Sequence, residues 1–214
     1  NKEATSFQFD FLNDSLDDLK VKAPGLLGAF ELNKPFVFFL NPPYGKASGI
    51  TGATHQKTNL TNEAKRQRVN ISDTANGFIY RIVEIAKKYN LTNCSLCIFN
   101  KMSYLQSPLY KYNRLHLFNT FGFISGCIVN GKIFNNVANG LGISFNIFKT
   151  NNSNKQVVLD VLNDDMQPIM LNRKYDNFDG KTLLLDWCRS QDSNKNCYAC
   201  VMKNALDLTD NRIR

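Results

Sequence analysis

The chain has no apolar run long enough to cross a bilayer. A span needs about 20 consecutive apolar residues, whereas Phe36-Val37-Phe38-Phe39-Leu40 is soon broken by asparagine and proline. No secretory leader opens the sequence, because Asn1 to Ser6 is polar. Internal repeats and low-complexity tracts are absent, which excludes repeat architectures. The six cysteines fit reduced thiols in a cytosolic protein. Histidine is scarce, with two copies. His55 reads as a surface or contact residue, and His116 as a packed or capping residue beside Leu115 and Leu117.

What is present is enough for one domain with a buried core: 214 residues, 43% hydrophobic and 21% charged. The net charge is +8 and the isoelectric point about 9.2. Such a surplus suits a polyanionic partner, and it equally describes a solvated basic surface. The run Phe36 to Leu40 lies between Pro35 and Asn41-Pro42-Pro43, and its aromatic content predicts a strand buried on both faces. A polar loop is expected from about Lys46 to Asn70, then a helix capped by Ser72 or Asp73, with Phe78, Ile79, Ile82, Val83 and Ala86 at helical spacing. Ser95 to Phe99 reads as a second buried strand, and the three elements make a βαβ crossover. Phe123 to Val129 and Gln156 to Leu162 read as further strands. The alternation of Ile143, Phe145 and Ile147 with Ser144 and Asn146 predicts an antiparallel strand over 142–148. Asn151 to Lys155 reads as a linker or hairpin tip, and Leu183 to Trp187 as a short apolar segment. The fold class is therefore α/β.

Asn41-Pro42-Pro43-Tyr44-Gly45 follows directly on the first strand, at the sheet edge where open α/β proteins bind ligands. An aromatic amino nitrogen is a poor nucleophile because its lone pair is delocalised. Acceptors on the Asn41 side chain and the Pro42 carbonyl suit the two amino hydrogens, which would pull that nitrogen towards tetrahedral geometry. Two prolines fix the backbone, and neither offers an N–H to compete there. Tyr44 suits stacking on a flat base. The alternative reading is a rigid prolyl turn with Tyr44 packed on the surface.

These residues resemble the amino-methyltransferases, specifically the N6-adenine DNA methyltransferases of restriction–modification type. In that family an Asn-Pro-Pro-Tyr motif ends a strand of a Rossmann-like sheet. The resemblance implies such a sheet in part, mostly parallel with an antiparallel strand near residues 142–148. It implies S-adenosyl-L-methionine as methyl donor and an adenine flipped from double-stranded DNA as substrate. By resemblance Asn41, Pro42 and Tyr44 are catalytic, with Pro43 and Gly45 in the substrate pocket. Gln8-Phe9-Asp10-Phe11-Leu12 resembles the family's Asp-Phe-Leu segment, which assigns Asp10 and Phe11 to the cofactor; the alternative is a polar strand end. Lys132-Ile133-Phe134 resembles the late motif whose aromatic stacks on the extruded base, which suggests Phe134; the alternative is a core phenylalanine.

Lys46, Lys57, Lys65, Arg66 and Arg68 follow the motif and suit DNA phosphates, or simply a solvated loop. No Gly-rich strand-to-helix turn precedes Asp10, although the family's methionine cradle belongs there. The chain is therefore expected to be the later part of a catalytic domain (1–150) with an extension (151–214) that completes the sheet or begins a target-recognition region. On this reading it binds adenosylmethionine weakly or not at all alone, and is inactive alone. A specificity or endonuclease domain or subunit is an expected partner, and the expected location is cytoplasmic, beside the nucleoid. No metal is expected. Cys94-Ser95-Leu96-Cys97 falls on a strand with its thiols on opposite faces, and Cys188, Cys197 and Cys200 lack a fourth zinc ligand. Methylation of ribosomal RNA or of a protein glutamine shares the tetrapeptide, and a non-catalytic nucleic-acid-binding remnant is the reading from another class.

Overall fold

The computed structural model describes residues 6–43, 58–134 and 141–175. Six strands form one sheet: β1 (Phe36–Leu40), β2 (Cys94–Lys101), β3 (Gly122–Asn130), β4 (Gly142–Lys149), β5 (Val157–Leu162) and β6 (Pro168–Tyr175). Their order is β1-β2-β4-β3-β5-β6. β1, β2, β3 and β5 share one direction, and β4 and β6 oppose it. The sheet is thus a mixed α/β sheet of mostly parallel sense, consistent with a Rossmann-like methyltransferase fold. The antiparallel strand expected near 142–148 is β4, inserted between β2 and β3.

Helices α1 (Leu16–Lys22) and α2 (Pro24–Glu31) precede β1, and α3 (Asn59–Arg66) and α4 (Thr74–Lys88) lie between β1 and β2. A short α5 (Ser103–Gln106) and α6 (Lys111–Phe118) join β2 to β3. Asp73 caps α4 by accepting from the Asn76 backbone N–H at 2.7 Å. Ile79, Ile82, Val83, Ile85 and Ala86 form one stripe of α4, and they pack with Phe38, Leu96, Ile98 and Phe148 of the sheet. Leu117 and Phe118 of α6 extend the same core. The described helices therefore serve one face of the sheet, and Cys94 belongs to it. Cys97 points to the other face, as strand alternation requires. Burial pushes the Cys94 thiol up to about 12, which suits packing and not nucleophilic chemistry.

Two expectations are corrected, and a third is decided between its alternatives. β1 is not buried on both faces: Val37 is 59% exposed and Phe39 65%, while Phe38 is 9%. The reason is that Val37 and Phe39 alternate with Phe38 and so point to the face that the described helices do not cover, on a strand that also lies at the edge of the sheet. Within the expected loop of 46–70, α3 forms because Thr58 caps it, accepting from Thr61 N–H at 3.2 Å, while Leu60 and Ala64 bury against Tyr80 of α4. Of the two readings of 151–155, linker or hairpin tip, the strand order bears out the linker. It carries the chain from β4 past the start of β3 to β5, held by Phe123 N–H donating to the Asn154 carbonyl at 2.8 Å. A Cβ at Gly122 would overlap the Asn152 carbonyl, so this crossing needs glycine there.

Two polar knots hold the helices. Arg81, 1% exposed, donates to the carbonyls of Phe11 at 3.1 Å and Asp14 at 2.8 Å, and pairs with Glu63 at 3.8 Å. It pins the segment before α1 to α4. Farther along α4, His116 Nε2–H donates to Glu84 Oε1 at 2.8 Å, and Lys87 donates to His116 Nδ1 at 3.0 Å. Gln67 donates to the second Glu84 oxygen at 3.1 Å, and the His116 ring lies 5.1 Å from that of Tyr80. Burial would raise the Glu84 pKa, but the hydrogen bonds from His116 and Gln67 outweigh it and hold the group below the ordinary 4.5.

A carboxylate held low contributes stability at pH values above its unfolded pKa and loses it as pH falls through the folded value. Resistance to urea denaturation should therefore weaken as pH falls from about 5 to about 3. Glu84→Gln should be less stable at neutral pH and fall less over that window; parallel pH profiles for the two proteins would refute the role given to Glu84. Arg81→Ala should cost about 3 kcal/mol, because it strips two buried carbonyls of their charged donor. An unchanged urea midpoint would show that Arg81 does not hold the segment.

Candidate functional site

β1 ends where the motif begins. Leu40 stands opposite Ile98, so Asn41-Pro42-Pro43 leaves the sheet beside the last residues of β2. Asn41 and Pro43 are exposed and Pro42 is buried. Residues 44–57 lie outside the described residues, and with them Tyr44, Gly45, Lys46, His55 and Lys57.

Phe134 reaches the same edge from far along the chain. β3 runs parallel to β1 and β2, and a tight turn over Gly131–Ile133 follows it, capped by Asn130 accepting from Lys132 N–H at 3.1 Å. The next residue, Phe134, sets its ring edge-on to Phe99 of β2, with centroids 5.6 Å apart. Phe99 in turn lies 4.7 Å from Phe145 of β4 and 6.3 Å from Phe39 of β1. Four phenylalanines from three strands and one turn thus carpet the sheet face that α4 does not cover, and the carpet ends at the prolyl corner. Sequence reading missed Phe39, Phe99 and Phe145 as supports. Period alone gave no sign of this: Phe145 alternates with Ser144 and Asn146, yet it is those two polar residues that β4 buries at 0% exposure.

Asp10 and Phe11 sit on the side of α4. The Asp10 carboxylate accepts from Leu12 N–H at 2.9 Å, Asn13 N–H at 3.1 Å and the Asn13 side chain at 2.9 Å. The Asn13 side-chain bond leads the effects that hold its pKa below the usual carboxylate range, so it is ionised at neutral pH. The Phe11 ring stacks parallel on Phe78, centroids 4.7 Å apart, in the second turn of α4. Lys65, Arg66 and Arg68 are exposed at and just beyond the end of α3. Gln67 among them bonds Glu84, which lies ten residues (about 15 Å) along α4 from Thr74. This basic group is therefore set back from the prolyl corner.

Cys188, Cys197 and Cys200 lie outside the described residues. No described helix is long and apolar enough to cross a membrane.

No known family matches the chain, and no curated protein does. Solved structures are similar to it, among them these two. One comes from a structural study of complex assembly and conformational transition in the type I R-M system, with 11% identity and a TM-score of 0.39 over 59% of this chain and 23% of that one. The other, assigned as a modification subunit of a type I restriction enzyme from Vibrio vulnificus YJ016, is 11% identical with a TM-score of 0.40, over 78% of this chain and 32% of that one. The chain thus spans about a quarter to a third of the structures it matches, and likenesses of this size define no family.

Proposed function

We propose that the chain carries the target-base side of an adenosylmethionine-dependent DNA methyltransferase of restriction–modification type, acting on the N6 amino group of an extruded adenine. The observation that carries this reading is the meeting of Asn41-Pro42-Pro43 and Phe134 at one sheet edge, across 93 residues of chain. A base seated there has two oxygen acceptors in its plane, the Asn41 side chain and the Pro42 carbonyl. Phe134 offers an aromatic surface for one of its faces, and Tyr44, three residues beyond Asn41, is the partner for the other.

The chemistry follows from those acceptors. Each takes one amino hydrogen, so the nitrogen lone pair leaves conjugation with the ring and points away from both. As the nitrogen attacks it becomes positive, and the same two oxygens stabilise the charge where it develops. The proton then leaves through Asn41 or Pro42 to water, and neither group needs to act as a strong base. Most of the acceleration comes from holding the nucleophile in line. Adenosylmethionine supplies an electrophilic methyl group when bound. Asp10, exposed and ionised, suits an acceptor role towards the donor's hydroxyl or amino hydrogens, and Phe11 suits its adenine. On this reading Lys65, Arg66 and Arg68 meet phosphates away from the target base, and Lys46 and Lys57 phosphates nearer to it.

A labelled-methyl assay offering DNA, ribosomal RNA and protein, run on the chain with the remainder of its reading frame, should place the label on adenine N6 of DNA. Asn41→Ala should lower kcat by about a hundredfold to a thousandfold, with an unchanged circular dichroism spectrum. Undiminished transfer by that variant, or label confined to RNA or protein, would sink the proposal. Calorimetry with adenosylmethionine should show weak binding or none to the 214-residue chain alone. Tight stoichiometric binding would refute the expectation that the methionine cradle lies outside it.

A further inference from the structure

β2 ends at Lys101, two residues beyond Phe99. Strand alternation puts the two on the same face, and two residues at about 3.3 Å each carry Lys101 roughly 7 Å past Phe99 towards the edge that holds Asn41. The register agrees: Phe99 stands opposite Phe145, and Lys101 opposite Ile143. Lys101 therefore stands at the end of the aromatic carpet, on the same face as Phe99, where a long cationic side chain can lay its stem over apolar neighbours and keep its ammonium in solvent.

Its backbone is fixed from below. Asn100 is 2% exposed, and its side-chain oxygen accepts from Lys101 N–H at 2.7 Å. Ser144 Oγ–H donates to the Asn100 carbonyl at 3.1 Å and accepts from the Asn146 side chain at 2.7 Å. This buried polar row ties the end of β2 to β4, and Gly126 opposite leaves the room for it: a Cβ there would meet Asn146 Oδ1 at 2.8 Å. The backbone that carries Lys101 is thereby held to β4 and does not fray.

Its charge is also unspent. Lys132, on the same edge, is paired with Asp164. Lys101 makes no ion pair among the described residues.

We infer that Lys101 grips a phosphate of the nucleotide whose base enters between Asn41 and Phe134, and so positions that nucleotide for reaction. The inference rests on the base-site reading above and adds to it a contact with a phosphate of the target nucleotide itself. An extruded nucleotide brings its own phosphates to the edge, and an ammonium borne by the end of β2 meets one without competing for the base.

Binding of a short fluorescent oligodeoxyadenylate to the full chain, titrated over a range of salt concentrations, tests it. Lys101→Ala should weaken binding about tenfold at low salt and flatten the dependence of log affinity on log salt by about 0.7, the value of one phosphate contact on a single strand. Lys101→Arg should restore both. As competitors, adenosine 5′-monophosphate should outdo adenosine against the unchanged chain, and lose that advantage against Lys101→Ala. Asn41→Ala and Phe134→Ala should weaken binding with the salt slope intact.

An unchanged slope in Lys101→Ala overturns the inference, whether affinity is kept or lost. If Asn41→Ala and Phe134→Ala weaken binding while Lys101→Ala does not, only the lysine assignment fails. If the unchanged chain does not bind the oligonucleotide, or binds it equally well without Asn41 and Phe134, the base site fails with it.

Discussion

The insertion of β4 against the grain of its neighbours governs what this molecule can do. β3 rises to the edge where β1 and β2 end, and β4 must start from that same edge to descend between β2 and β3. The connection between them is therefore obliged to cross the edge, and Phe134 lies in it. A purely parallel arrangement would return the chain at the opposite end through a crossover. One antiparallel pairing thus delivers an aromatic ring to a corner made by residues far earlier in sequence.

The two faces of the sheet carry different duties. One is closed by α4 and α6 over Leu96, Ile98 and Phe148, and supplies the folding energy. The other is laid with phenylalanine up to the prolyl corner, with Val37 and Phe39 exposed on it. Polar groups sunk among the apolar ones act as pins: Arg81 for the segment before α1, Glu84 with His116 for the joint of α3, α4 and α6, and Asn100 with Ser144 for the end of β2. Each is bonded to backbone or to a neighbouring element, and each fixes a direction that hydrophobic contact alone would leave loose.

Much of this arrangement was legible before any coordinates. The stripe of α4, its Asp73 cap, the runs of β1, β2, β3 and β5, and the period-two pattern of β4 all declare themselves by spacing. What escaped did so for physical reasons. α3 has only Leu60 and Ala64 to bury, too few to show a period. α1 is announced by a capping box of Ser15 and Asp18, a local signal that apolar periodicity does not register. β6 follows a polar turn and breaks its own alternation at Asn172, whose φ of 51° lies in the left-handed region. An apolar run such as β1 reads alike at the centre of a sheet and at its rim, so its exposure could not be foreseen. At the site, the prolyl corner was visible as a motif, whereas the phenylalanines beneath Phe134 become a group only once strand order is known.

That rim strand has a consequence for what the sheet can pair with. In the described sheet, the outer amides and carbonyls of β1 have no ladder partner, and Val37 and Phe39 stand open above them. Lysine and bulges, which commonly blunt such borders, are missing from Phe36 to Leu40. Among the described residues that border is thus a template for strand addition.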